Sequence, residues 1–163
     1  MKRLLGLLFI LLLAVSLYAG VSFGYSASPF GEVSPEENFL GLEARGVLSF
    51  TSFRHIADVA ASLKIGFGED LFKEAGIMVS CPLCRTTSHP MNRFFTNITL
   101  WSPSVRLGGE YDGEAARAVL EFSPLFFSEH DFSYDFLSPY VFWNRDGSGW
   151  GITIVRLTAY IGG

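Results

Sequence analysis

The feature that most constrains this chain is alternation. After residue 20, apolar and polar side chains trade places every second residue, run after run. Residues 40–50 set Leu40, Leu42, Ala44, Gly46, Leu48 and Phe50 on one face, with Glu43, Arg45 and Ser49 on the other. Residues 58–67 set Val59, Ala61, Leu63, Ile65 and Phe67 against Asp58, Ser62, Lys64 and Gly66. The same pattern opposes Ala75, Ile77 and Val79 to Glu74, Gly76 and Ser80, and Val105, Leu107 and Tyr111 to Arg106, Gly108 and Glu110. It recurs with Ala116, Ala118, Leu120 and Phe122 against Arg117, Glu121 and Ser123. Phe132, Tyr134, Phe136, Tyr140 and Phe142 form an apolar face against Ser133 and Asp135. Val155, Leu157, Ala159 and Ile161 do so against Arg156 and Thr158. A period of two marks strands whose two faces meet different surroundings.

Turn signals punctuate these runs at Gly68-Glu69-Asp70, at Asp112-Gly113 and through residues 144–149. Asp-Gly between alternating runs marks a hairpin. A shorter first strand fits residues 21–27. Residues 93–101 alternate as well, but their parity disagrees with Val105 and Leu107, so a bulge or bend is expected at Ser102-Pro103-Ser104. Read as one bent strand, residues 93–111 bring the total to eight strands; read as two, to nine. The 16 Phe, 6 Tyr, 3 Trp and 17 Gly favour strands and tight turns over helices. The chain is an all-β protein with no repeat and no linker.

The first 19 residues stand apart. Met1-Lys2-Arg3 precedes an apolar, Leu-rich stretch to Leu17, and small residues follow at Ala14, Ser16, Ala19 and Gly20. This is the secretory signal pattern, and it is shorter than the ~20 residues of a membrane-spanning helix. Residues 1–19 are therefore read as a signal peptide and residues 20–163 as a single domain. Removing the signal takes away Lys2 and Arg3 and no acid, which moves the net charge from −4 to −6. Nucleic acid needs a basic face, and none is present.

The polar faces carry the information about function. Their acids are Glu43, Asp58, Glu74, Glu110, Glu121 and Asp135; their bases are Arg45, Lys64, Arg106, Arg117 and Arg156. The two sets nearly balance. In a soluble sandwich or barrel such a face meets water. In a membrane barrel it lines the lumen while the apolar face meets lipid. Soluble strands run about 5–6 residues and membrane-spanning ones about 9–11. Runs 40–50, 115–124 and 132–142 belong to the longer class. Aromatics near run ends, including Phe94, Trp101, Tyr111, Phe132, Tyr140, Phe142 and Tyr160, suit girdles at two membrane interfaces.

On these features, residues 21–163 resemble a small bacterial outer-membrane β-barrel. The resemblance implies an antiparallel up-and-down barrel of about eight strands, preceded by a signal-peptide helix, with residues 149–161 as its last strand. It implies outer-membrane lipid and the barrel-assembly machinery as partners. It places residues 28–37, 68–70, 112–113 and 145–149 in outer loops. The longest connection, residues 81–92, falls on the side of the termini. A barrel of this size is just filled by side chains, so the eleven charged groups form a lumen-lining network and plug it. The expected role is structural or interactive, without enzymatic activity. The alternative is a soluble exported protein, lipocalin-like or sandwich-like, that binds a small molecule or lipid in the periplasm.

Other motifs carry less. Cys81-Pro82-Leu83-Cys84 has redox spacing without the βαβ setting of thioredoxin-like proteins, and is read as a loop disulfide between Cys81 and Cys84. With His89 the two cysteines supply only three ligands, so no zinc site is expected. His55, His89 and His130 fall at expected turns. Ser128-Glu129-His130-Asp131 lacks the convergence a catalytic triad needs. Asn97-Ile98-Thr99 lies inside a strand. No Gly-rich phosphate loop occurs, and no cofactor is expected.

Overall fold

The computed structural model describes residues 21–35, 38–50, 57–67, 74–86, 100–129, 132–145 and 147–161. The signal segment, the loop at 68–70, Phe94, Asn97, His55, His89, His130 and the first part of the strand expected from residue 93 lie outside them.

The described residues form ten strands: β1 Val21–Val33, β2 Asn38–Phe50, β3 Ala57–Gly66, β4 Glu74–Pro82, β5 Leu100–Trp101, β6 Ser104–Tyr111, β7 Ala116–Ser123, β8 Leu125–Ser128, β9 Phe132–Trp143 and β10 Ser148–Ile161. Every pairing is antiparallel. The order β1-β2-β3-β4-β6-β7-β9-β10 closes on itself through β10–β1, giving a barrel of eight strands. Closure removes the sheet edges that would otherwise recruit other chains. Val21 pairs with Phe50 and Phe23 with Ile161, so these strand ends meet at one end of the barrel, here called the terminal end. Cys81–Thr86 and the β8–β9 turn share that end.

The two short strands continue their neighbours. Leu100 and Trp101 pair with Ser128 and Phe127, while Ser104 pairs with Ser123, a one-residue offset across Ser102-Pro103. The expected bend is therefore present, and β5 and β6 are one bent strand. Beyond the end of β4, Thr86 forms an isolated antiparallel bridge to Trp101.

The first strand is longer than expected. Residues 28–33, read as the start of an outer loop, continue β1 and pair with β2 throughout. Pro29 obscures this in the sequence, since proline removes a ladder donor. Here it sits where the β1–β10 register shifts, between Ala27 and Phe30.

A second correction concerns β9. Tyr140 and Phe142 do not share the outer face with Phe132, Tyr134 and Phe136; both are buried inside the barrel. The cause is Leu137, whose φ of 53° is left-handed. Across it the inward positions step from Asp135 to Ser138, by three residues and not two. Two neighbours make the same step: Ser123 to Phe126 across Pro124, and Thr153 to Arg156 across Ile154. Leu137 takes no part in the ladder on either side. Yet the register between β7 and β9 equals that between β8 and β9, so both strands turn over together without slipping. Leu137→Ile keeps the volume and the outward contact but places a β-branched residue at positive φ. It is expected to lose about 1–2 kcal/mol, measured as the urea midpoint in lipid vesicles, while Val141→Ile in the same strand stays near neutral.

The far end carries tight turns. Gly113 has φ 107°, and the Asp112 carboxylate accepts the N–H groups of Glu114 and Ala115, each at 2.8 Å. Those bonds, Ala115's first, hold the Asp112 carboxyl below its usual value. A lowered carboxyl adds stability above its unfolded value, near about 4, and loses that contribution as pH falls. Asp112→Ala is expected to cost about 0.5–1 kcal/mol at neutral pH, less at pH 3 than at pH 7. Unfolding midpoints at the two pH values check this. At the next far-end turn the Asn144 side chain accepts the Gly147 N–H at 2.8 Å.

Candidate functional site: the charged interior

The wall is inverted relative to a water-soluble protein. Leu40, Leu42, Leu63, Ile65, Ile77, Val79, Leu107, Leu120, Leu157 and Ile161 are exposed on its outside. Glu43, Arg45, Lys64, Glu74, Arg106, Glu110, Glu121, Asp135 and Arg156 are buried inside. Arg117 points into the same interior with its side chain 10% exposed. Asp58 lies half-buried toward the terminal end, lining one cavity with Arg45, Arg106 and Arg156. Buried charges persist only when paired and hydrogen-bonded, and these fall into two clusters.

The cluster nearer the far end gathers Glu32, Lys64, Glu74, Glu110 and Arg117. Lys64 Nζ lies 2.8 Å from Glu32 Oε1, 2.9 Å from Glu110 Oε1 and 3.8 Å from Glu74 Oε2. Arg117 donates to both oxygens of Glu32, at 2.9 and 2.7 Å, and also to Glu110 and Glu74. The Tyr140 hydroxyl donates to Glu32 Oε1 at 2.7 Å. Its ring lies under the Lys64 ammonium, 4.5 Å from nitrogen to centroid, and Phe142 lies 4.0 Å under the Arg117 guanidinium. Gly151 makes room for Tyr140: a Cβ there would strike the Tyr140 ring and the Gly31 carbonyl. Oxygens of Glu32, Glu74 and Glu110 lie within 4.8 Å of one another, a spacing that suits a cation. The chain supplies its own cations there, Lys64 and Arg117.

The second cluster lies toward the terminal end. Glu121 accepts from Arg45 at 2.8 Å, from Arg156 at 2.7 Å and from Arg106. Asp135 accepts from Arg106 at 2.6 Å and Arg156 at 2.8 Å. Glu43 pairs with Arg45 at 2.8 Å and Arg156 at 3.1 Å. Small hydroxyls leave space for these groups against the wall and bond to them. Ser28 donates to Glu43, Ser138 to Asp135 and Arg156 to Thr153. Ser123 sits between Arg106 and Asp135.

Glu43 and Arg45, two apart on one strand, do pair. Arg106 and Glu110 share a face but join different clusters. Glu32 is not among the lumen residues expected from the sequence, where residues 28–37 are predicted as a loop; the alternation of Ser26, Ser28, Phe30 and Glu32 against Tyr25, Ala27 and Val33 is the signal that locates it. Cys81 and Cys84 are exposed free thiols near the terminal end. Ser128 and Glu129 lie at the β8–β9 turn, where Glu129 N–H donates to the Phe132 carbonyl.

Beside the second cluster lies a small cavity lined by Asp58, Met78, Arg106, Phe126, Arg156 and Tyr160, among others.

The fold thus defined is a closed, eight-stranded antiparallel barrel whose charged groups lie inside and most of whose aliphatic ones lie outside. The chain matches no known protein-family model and no curated protein. Among solved structures it is similar to the crystal structure of Neisserial surface protein A (NspA), with a TM-score of 0.60 and 11% identity over 86% of this chain and 97% of that one. At that identity the likeness concerns the fold.

Proposed function

We propose that this chain is an exported outer-membrane β-barrel of structural or interaction type, with a lumen sealed by its ion-pair clusters and no enzymatic activity. The inversion of the wall carries this reading. A lipocalin-like soluble barrel would hold its apolar residues inside, around a ligand. Here the aliphatic face points outward on all sides, which suits lipid. Strands β1, β2 and β10 have 13, 13 and 14 residues, long enough for the ~9–11 that a bilayer requires. Residues 1–19 act as the export signal, outer-membrane lipid surrounds the barrel, and the barrel-assembly machinery inserts it. The far-end turns at 112–115 and 144–147 are too short to build a large receptor surface.

Cell fractionation tests this. The protein is expected in the outer-membrane fraction, running faster on a gel when unheated than when boiled. Recovery as a soluble protein after osmotic shock would overturn the proposal. In planar bilayers the purified protein is expected to give no steady conductance steps; a constant open current would overturn the sealed lumen.

A further inference from the structure

Toward the terminal end one inward row of the wall reads Ser49, Asp58, Ser80, Arg106 and Glu121, each residue paired with the next on the neighbouring strand. The row sets a small hydroxyl, Ser80, between an acid and a base. Neighbouring strands lie ~4.8 Å apart, so the backbones of Asp58 and Arg106 stand about two such spacings apart across it. Direct contact would require both side chains to lean over Ser80.

Arg106 leans the other way. Its bonds to Glu121, Ser123 and Asp135 all leave from Nη1, toward β7 and β9 and away from β3. Nη1 carries two of the five N–H donors of a guanidinium. Asp58 is served on its own side by Ser49, the residue opposite it on β2. Its Oδ1 is nevertheless buried and has no hydrogen-bond partner. A buried acceptor in that state is costly, and such groups in folded proteins commonly bind an ordered water.

The space for one is present. Asp58, Ser80 and Arg106 all line the cavity beside the second cluster. The part of it open to the centre of a water molecule is about 20 Å³. One water needs ~10–15 Å³ by the same measure, so the cavity fits a single molecule. Ala60, Met78 and Phe126 form apolar walls around it. A calcium ion would need six to eight oxygen ligands, and Asp58 with Ser80 falls far short of that.

We propose that one water molecule is bound over Ser80, donating to Asp58 Oδ1 and accepting from Arg106, with the Ser80 hydroxyl as its third partner. The second cluster already balances Glu43, Glu121 and Asp135 against Arg45, Arg106 and Arg156. The water joins Asp58 to that network as a fourth acid and completes the packing of the lumen on this side. The site lies inside the barrel and does not depend on what surrounds the wall.

The direct test is a crystal structure of the full mature chain at a resolution that shows ordered water. Crystals are grown from detergent if the protein is recovered in membranes, and from buffer if it is not. One water is expected within ~3.2 Å of Asp58 Oδ1, the Ser80 hydroxyl and an Arg106 nitrogen. A dry cavity, or a direct bond between Asp58 and Arg106, overturns the proposal. Urea unfolding gives a second reading. Ser80→Ala keeps the space and Ser80→Val fills it. Valine suits strands better than alanine, so over a dry cavity the valine variant has the higher midpoint. Displacing a bound water strands Asp58 Oδ1, and the valine variant is then expected to have the lower one. The comparison is repeated on Asp58→Leu, which removes the carboxylate and keeps the crowding. There the valine penalty is expected to at least halve. A valine midpoint equal to or above that of alanine, or a penalty unchanged on Asp58→Leu, overturns the site.

Discussion

Glu121→Ala is expected to destabilise the folded barrel by about 3–5 kcal/mol. Three guanidinium groups converge on this one carboxylate, from Arg45, Arg106 and Arg156. Glu121 is 1% exposed, so water cannot replace it. Without it, three buried cations share only Glu43 and Asp135. The loss measures the cost of stranding charge, not the net worth of the intact cluster, since a complete buried network adds little over a well-packed apolar core. The double variant Glu121→Leu with Arg156→Leu is therefore expected to recover part of the loss, because it removes one charge of each sign. Urea unfolding in vesicles, followed by tryptophan fluorescence, reads both. An unchanged midpoint in Glu121→Ala would show that the cluster does not act as a unit.

Leu63→Arg is the second substitution with a large expected effect, and its sign depends on the surroundings of the wall. Leu63 sits on β3 between Ala44 and Ala75, near the middle of its strand, and is 51% exposed. In water, a charged residue at such a surface position changes stability by no more than about 0.5 kcal/mol. At the middle of a bilayer it costs about 2–4 kcal/mol. A loss of that size in vesicles supports a lipid-facing wall. A neutral result would mean that the apolar face is covered by something other than lipid.

Much of the barrel was legible because a strand with two different surroundings writes them into its sequence. The alternation at Leu40–Phe50, around Lys64 and around Arg106 locates β2, β3 and β6 and assigns their faces. The parity clash at Ser102-Pro103-Ser104 locates a real bend. What stayed hidden depends on conformations without a residue signature. Leucine rarely adopts a left-handed φ, so nothing at Leu137 announces the turnover that carries Tyr140 and Phe142 inside. Pro29 suggests a strand end where the strand continues.

The interior was legible as a set of charges but not as a set of partners. Which acid meets which base is decided by the stagger between strands. Arg106 faces Glu121 across one strand boundary and reaches Asp135, while Glu110 turns to Lys64 and Arg117. Neither choice follows from spacing along β6. Glu32 escaped notice because it lay in a supposed loop, although Lys64, Arg117 and Tyr140 all bond to it.

The matched turnover at Pro124, Leu137 and Ile154 also limits how this protein can change in length. A deletion of Leu137 alone would return β9 to plain alternation, keeping Ser133 and Asp135 inward but sliding them one residue out of register with β8 and β10, whose own three-residue steps would remain. No compensating substitution at one site repairs that mismatch. Viable gain or loss of a residue at this level must occur in adjacent strands together. Relatives of this chain are therefore expected to keep the three irregularities or to lack all of them, and a survey of strand lengths around the barrel would reveal the coupling as a joint change.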